Sequence, residues 1–346
     1  MSGFREECKR VKNQILKIED RADMAFVLVT DSHLSDNTES TCENIRCLDE
    51  EIGFDCLVHM GDLLNGNNPE RISRKNLVEA IGLFRNSIHT KQMYIAKGNH
   101  DGYRDESYQG QVVHDITLDE KWYEDTCFMD ENPNLSRVED KPYFYVDFPN
   151  KKIRFVILCT NWYEHNVMEK TFIEHPGFTE EQLRWLGREA LVTAEDGWNI
   201  MLFSHIAPLT ELDALKVNPN ASRNQITEKG GREAVALVRA CKESSRITVK
   251  DEIYDFTGRK TNILCWCTGH IHGDFLVERE TISFIALASQ TAYIPQLWHV
   301  PFGEFPAPRE NGSVSEDCWD SVLICTQERK VYFFRFGAGK NRVICY

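Results

Sequence analysis

Apolar residues along the chain gather in short runs that stop at polar blocks. Phe4, Val11, Ile15 and Ile18 recur at about helical spacing and predict a surface helix over residues 1–20. Residues 24–30, rich in Val, Ala, Phe and Leu, read as a strand that ends at Asp31. A second strand over 55–60 ends at Gly61-Asp62, and a third over 92–96 is followed by Gly98-Asn99-His100-Asp101. Helical segments over 40–52 and 76–89 separate them. The alternation predicts βαβ units and a largely parallel first sheet, in which a site forms at the strand C-termini.

The second half begins with a hairpin of 143–148 and 153–158 around Pro149-Asn150-Lys151-Lys152. Thr179-Glu180-Glu181-Gln182 is a capping box that opens a helix to about Leu191, with Leu183, Leu186 and Leu191 on its apolar side. A strand over 199–203 ends at Ser204-His205, and another over 262–267 ends at Gly269-His270-Ile271-His272. Residues 322–325 and 331–336 form a last hairpin. There is no internal repeat, low-complexity tract or linker. The expectation is a single α/β domain over 1–346, a four-layer αββα sandwich of two mixed sheets flanked by helices. Long segments near 103–141, 207–262 and 293–317 are its insertions.

Charge narrows the partners. A formal charge of −14 and a pI near 5.3 oppose a broad grip on duplex nucleic acid, which depends on neutralising phosphates. The 12 cysteines include no CxxC pair or compact disulfide framework, and the first twenty residues lack an apolar signal segment. No stretch has the roughly 18 apolar residues of a membrane span. A cytoplasmic protein with reduced thiols is the expectation.

The polar blocks, in order, are Asp31-Ser32-His33, Gly61-Asp62, Gly98-Asn99-His100-Asp101, Ser204-His205 and Gly269-His270-Ile271-His272. Asp31 and His33 are two apart, so a carboxylate and an imidazole can converge on one ion. Asp62 has two oxygens with which to bridge two cations. His270 and His272 can each take one metal. With two divalent ions, two carboxylates, four neutral imidazoles and the Asn99 amide, such a cluster keeps a charge of about +2 and attracts phosphate.

This series resembles the signature of the calcineurin-like metallophosphoesterases, from about Met24 to Phe275. The resemblance implies that Asp31, His33 and His272 hold one metal, that Asn99, His205 and His270 hold the other, and that Asp62 bridges them. It makes His100 a catalytic residue that contacts the phosphate or leaving group beside Asn99, with Asp101 orienting its ring. It implies hydrolysis of a small phosphate mono- or diester by in-line attack of a metal-bridging hydroxide. The ligand types suit Mn, Fe or Zn, with Co or Ni also compatible, as two divalent or mixed-valence ions. Asn65 stands where a purple acid phosphatase has its tyrosine. Alternatives are a nuclease acting on single-stranded or short nucleic acid, and a metal-binding scaffold without turnover.

Other residues read as structural. His59 lies inside a strand, and Cys265 and Cys267 share one strand face and pack in a core. Gly337-Ala338-Gly339-Lys340-Asn341 is superficially similar to a phosphate loop but lacks its first glycine and its Ser or Thr, so it reads as a turn. The aromatic stretch 293–302, with Trp298 and His299, is a candidate pocket lining.

Overall fold

The computed structural model describes residues 2–66, 68–105, 113–116, 119–166, 171–208, 229–291 and 309–346. Strands whose apolar side chains alternate between two cores build its centre. In Ile153–Leu158, Phe155 and Ile157 enter one core while Val156 and Leu158 enter another. Asn199–Ser204 divides Met201 and Phe203 from Ile200 and Leu202 in the same way. In Asn262–Thr268, Cys265 and Cys267 point one way and Trp266 the other, so the two cysteines are core residues as expected. A sheet buried on both faces must be covered twice. One face lies on a second sheet, and the other is covered by helices Glu180–Trp185 and Gly231–Lys242.

The first sheet has the order Arg342–Cys345, Lys330–Gly337, Cys318–Cys325, Met24–Val29, Cys56–His59, Met93–Ile95. The last three strands are parallel, and the first three are antiparallel additions beside Met24–Val29. The sheet is therefore half parallel, because the C-terminal hairpin and an unpredicted third strand join it. Helices Ser2–Ile15, Thr38–Ile52 and Glu70–Arg85 bury Val11, Ile15, Ile45, Leu48, Leu77 and Phe84 in the same core as this sheet. The second sheet runs Phe275–Arg279, Ile282–Ala286, Asn262–Thr268, Asn199–Ser204, Ile153–Leu158, Phe144–Phe148, Leu135–Arg137. Its four central strands are parallel. The two mixed sheets with flanking helices are the predicted sandwich.

Several boundaries differ from expectation. Helix Glu70–Arg85 starts earlier than residue 76 because Pro69 precedes its first turn with an extended backbone, while the charged run after it hides the apolar stripe. The capping box is half formed: Thr179 Oγ1 accepts from the Gln182 backbone N–H at 3.1 Å. The Gln182 amide instead bonds both backbone groups of Cys159, at 2.8 and 2.7 Å, and ties the helix to the end of a strand. That helix passes into a π turn over Leu186–Ala190. Within 207–262, expected to be an insertion, the helix Gly231–Lys242 is a layer of the fold, followed by the hairpin Arg246–Val249 and Glu252–Asp255. A further hairpin, Asn161–Asn166 with Thr171–Pro176, was not expected. The stretch 293–302, with Trp298 and His299, lies outside the described residues.

The two sheets meet through Phe26 of the first and Phe155 and Phe203 of the second. Phe155 has ring centroids 4.9 Å from each of the other two in edge-on contact. Phe155→Ala leaves a cavity between the sheets and is expected to cost about 3–5 kcal/mol in urea unfolding. A loss below about 1 kcal/mol would show that the sheets do not depend on this contact.

Candidate metal centre

Each predicted block lies just beyond a buried strand, and the strand ends of both sheets converge. Met24–Val29 delivers Asp31 and His33, Cys56–His59 delivers Asp62, and Met93–Ile95 delivers Asn99 and His100. The second sheet supplies His205 after Asn199–Ser204, and His270 and His272 after Asn262–Thr268. Asp31, His33, Asp62 and His272 place ligand atoms within 4.8 Å of one another, and so do Asp62, His205 and His270. Asn99 joins the second group, with Oδ1 3.0 Å from His205 Nε2 and 2.9 Å from His270 Nδ1. Asp62 belongs to both groups. All seven predicted ligands thus meet in one place.

The chain must bend sharply to do this. Asp31, His33, Asp62, His270 and His272 all have φ between 50° and 71°, in the left-handed region. Asp and His enter it more readily than bulkier residues, and strain of this kind clusters at functional sites. Close approach also dictates two glycines. A Cβ on Gly98 would lie 2.2 Å from Asp62 Oδ1, and one on Gly269 would lie 2.0 Å from Thr30 Oγ1 and 2.6 Å from Asp31 Oδ2.

Hydrogen bonds aim the ligand atoms. His33 Nδ1–H donates to Leu64 O at 2.9 Å, and His205 Nδ1–H donates to Met60 O at 2.8 Å. Each bond selects the tautomer whose Nε2 lone pair faces the centre. Asp31 Oδ2 accepts from Thr30 Oγ1 at 2.6 Å and from His270 N at 3.0 Å. Asp31 Oδ1 is buried without a hydrogen bond, and His272 Nε2 lies 3.3 Å from it. His33 Nε2 and His272 Nε2 are 3.3 Å apart, and His205 Nε2 is 3.2 Å from Asp62 Oδ2. With its Nδ1–H on Met60 O, neutral His205 turns an Nε2 lone pair toward the Asp62 carboxylate, acceptor facing acceptor, an arrangement that requires a proton or a cation between them. The donor set is carboxylate oxygen, amide oxygen and imidazole nitrogen, which suits divalent transition ions. The residues therefore fit a pair of metals.

The metal-free electrostatics agree. Burial would raise the Asp62 carboxyl, but His205 and His100 hold it well below the usual carboxylate range. Asp31, likewise opposed by burial, is lowered by His272. Burial pushes His33 down to about 4. His205 goes the other way: burial would lower it, yet the adjacent Asp62 carboxylate raises it to about 9.

Asp101 has a use that the sequence did not reveal. Its Oδ2 accepts from the backbone N–H of Asp62 at 2.9 Å and of Gly98 at 2.8 Å. Its Oδ1 accepts from Leu63 N at 2.7 Å and Leu64 N at 3.2 Å. One carboxylate thus fastens the Asp62 turn to the Asn99 turn, and burial together with the charge of Asp62 pushes its carboxyl up to about 7. His100 is half-buried, its backbone N–H donates to Asp62 Oδ1 at 2.8 Å, and its ring centroid lies 5.3 Å from that of His33. His59, read as structural, is fully buried, with Gly61 N donating to its Nδ1 and its Nε2–H reaching Ser32 Oγ. Burial lowers it to about 3, so it stays neutral.

The calcineurin-like phosphoesterase profile matches residues 24–274, and the chain belongs to that family. No curated protein matches it. Among solved structures, a dimetal phosphatase from Danio rerio shares the fold, with a TM-score of 0.53, 15% identity, and coverage of 94% of this chain and 99% of that one. GAP50, the anchor in the inner membrane complex of Plasmodium, aligns with a TM-score of 0.47 and 9% identity, over 92% of this chain and 89% of that one.

Two predictions follow from the wiring. Metal must displace the proton on His205, so Mn(II) added near pH 8 releases about one proton from that residue. The His205 share of the release falls away above its value of about 9, so total release is larger near pH 8 than near pH 10, and an indicator titration with no release near pH 8 would contradict it. Asp101→Asn keeps the shape but turns an NH2 toward backbone donors. Two orphaned N–H groups should cost about 2 kcal/mol or more in chemical unfolding of the metal-free protein.

Proposed function

We propose that the protein is a metal-dependent hydrolase of phosphate monoesters or diesters, acting on a small phosphoester. The observation that carries this reading is the pair of ligand groups sharing Asp62. Asp31, His33 and His272 would hold one ion, Asn99, His205 and His270 the other, with Asp62 common to both. Ions so bound would neutralise phosphate oxygens and lower the pKa of a coordinated water from 15.7 toward 7.

The chain's own residues do the rest. Leu64 O and Met60 O keep two imidazoles aimed, so the ligands need no reorganisation when substrate arrives. His100 rides on the Asn99 turn with its backbone tied to the Asp62 carboxylate. Its partly exposed ring is positioned to hydrogen-bond a phosphate oxygen or to pass a proton to the leaving oxygen. Asn99, with Oδ1 turned to His205 and His270, has its amide N–H groups for the phosphate. The centre gains positive charge from its ions within a chain of net charge −14, which favours a compact phosphoester over duplex nucleic acid. Mn, Fe or Zn suits the ligands best. Among the described residues no cysteine forms a disulfide and no helix is long and apolar enough to cross a membrane, and the former supports a cytoplasmic setting.

A panel of aryl phosphomonoesters and phosphodiesters, assayed after reconstitution with Mn and with Zn, tests the reading. Asp62→Ala should lose metal and turnover together. His100→Ala should keep its metal while turnover falls by about 10²–10⁴-fold. Parental rates in both variants, or no turnover of any phosphoester by the fully loaded parent, would overturn it.

A further inference from the structure

The turn carrying His270 and His272 is anchored beyond the ligands by a buried ion cluster. Two residues past His272, the Asp274 carboxylate accepts two bonds from Arg335, Oδ2 from Nη1 and Oδ1 from Nη2, both at 2.8 Å. Asp274 Oδ1 also accepts from Ala288 N at 3.0 Å and lies 3.3 Å from Arg342 Nη1. Arg335 is 1% exposed and is held from its other side by Asp320, with Nε to Oδ1 at 2.8 Å, and Arg342 also bonds Asp320. Two guanidinium and two carboxylate groups therefore close a neutral network. Arg335 and Asp320 belong to the first sheet, while Asp274 continues the turn that leaves the second.

We infer that Arg335 is a positioning residue for the metal centre: by gripping Asp274 it fixes the strained His270–His272 turn and sets how tightly the ion of Asp31, His33 and His272 is held. This rests on the metal reading above. The two histidines are not equally dependent on the grip. His270 is fixed from its own side, its N–H on Asp31 Oδ2 and the preceding Gly269 N–H on His205 O at 2.9 Å. His272, at φ 53°, is separated from Asp274 only by Gly273. Slackening the anchor should therefore loosen one ion before the other.

The same network explains the glycine-rich turn Gly337-Ala338-Gly339-Lys340-Asn341. Arg335 Nη1 donates to Ala338 O at 2.8 Å, so the turn caps the guanidinium. A Cβ on Gly339 would lie 2.3 Å from Arg335 Nη1 and 2.9 Å from Asp274 Oδ2, at a φ of 110°. The motif that is superficially similar to a phosphate loop is the cover of an ion pair.

Buried ion pairs are often no more stabilising than apolar replacements, but removing one partner strands the other. The test must therefore separate positioning from stability. Mn(II) binding is measured by equilibrium dialysis and by electron paramagnetic resonance, alongside the thermal midpoint of metal-free protein. Asp274→Asn and Gly339→Ala perturb the grip from opposite sides. Asp147→Asn is the control, breaking the Arg154–Asp147 ion pair (2.7 Å), which touches no ligand-bearing turn. Both test variants should bind the first Mn(II) as the parent does and the second at least about tenfold more weakly, as supporting residues of metal sites commonly cause. At limiting Mn(II) they should show an isolated-ion signal where the parent shows a coupled pair. Asp147→Asn should bind both ions with parental affinity even if its midpoint falls. Parental affinity for both ions in both test variants, or equal loss in the control, would overturn the inference. A parental protein that takes up no Mn(II) would overturn the metal reading itself, and this one with it.

Discussion

The fold gathers more acceptors than donors. Asp31 Oδ1, Asp62 Oδ2, and the Nε2 atoms of His33, His205 and His272 meet in a buried space, and between Asp62 Oδ2 and the His205 Nε2 lone pair nothing but a proton or a cation can reconcile the two. Burying such groups is costly unless they are compensated, so the surrounding chain must hold them against their mutual repulsion. Metal-free protein compensates in part by protonation, which is why His205 is raised beside Asp62. Most of what surrounds the centre serves to hold this frustrated arrangement ready for two ions.

Holding it takes three kinds of restraint. Parallel strands of both sheets end at one edge, so every ligand follows a rigid element. Backbone in the left-handed region turns five ligand residues inward, a strain that persists only where neighbouring contacts over-determine it. Side chains then lock the turns together: Asp101 gathers four backbone N–H groups from two of them, and Ser289 Oγ donates to Asp31 O at 3.0 Å. The Arg335 cluster does the same for the last turn from the opposite sheet.

That the seven candidate residues would meet was legible because each polar block interrupts an apolar run at a strand end, and the period-two pattern needs only local sequence. The two-sheet layering was legible for the same reason. Contacts between distant residues were not. Arg335 and Asp274 are 61 residues apart, and nothing local marks the partner of either. Asp101 could be seen as a polar neighbour of His100, but its acceptance of backbone N–H groups depends on how two turns pack. The helix Gly231–Lys242 was hidden in a segment read as an insertion, although Ala234, Val235, Leu237, Val238 and Cys241 mark its buried side. The C-terminal strand Arg342–Cys345 was missed because it is short and follows a glycine-rich turn.

The most direct test of the account is anomalous diffraction from a crystal grown with Mn(II), recorded at the manganese edge. Two peaks are expected on either side of the Asp62 carboxylate, about 3.5–4 Å apart. One should lie against Asp31, His33 and His272, and the other against Asn99, His205 and His270. A single peak, or peaks away from Asp62, would contradict the claim that this buried group of acceptors is built around a shared pair of ions.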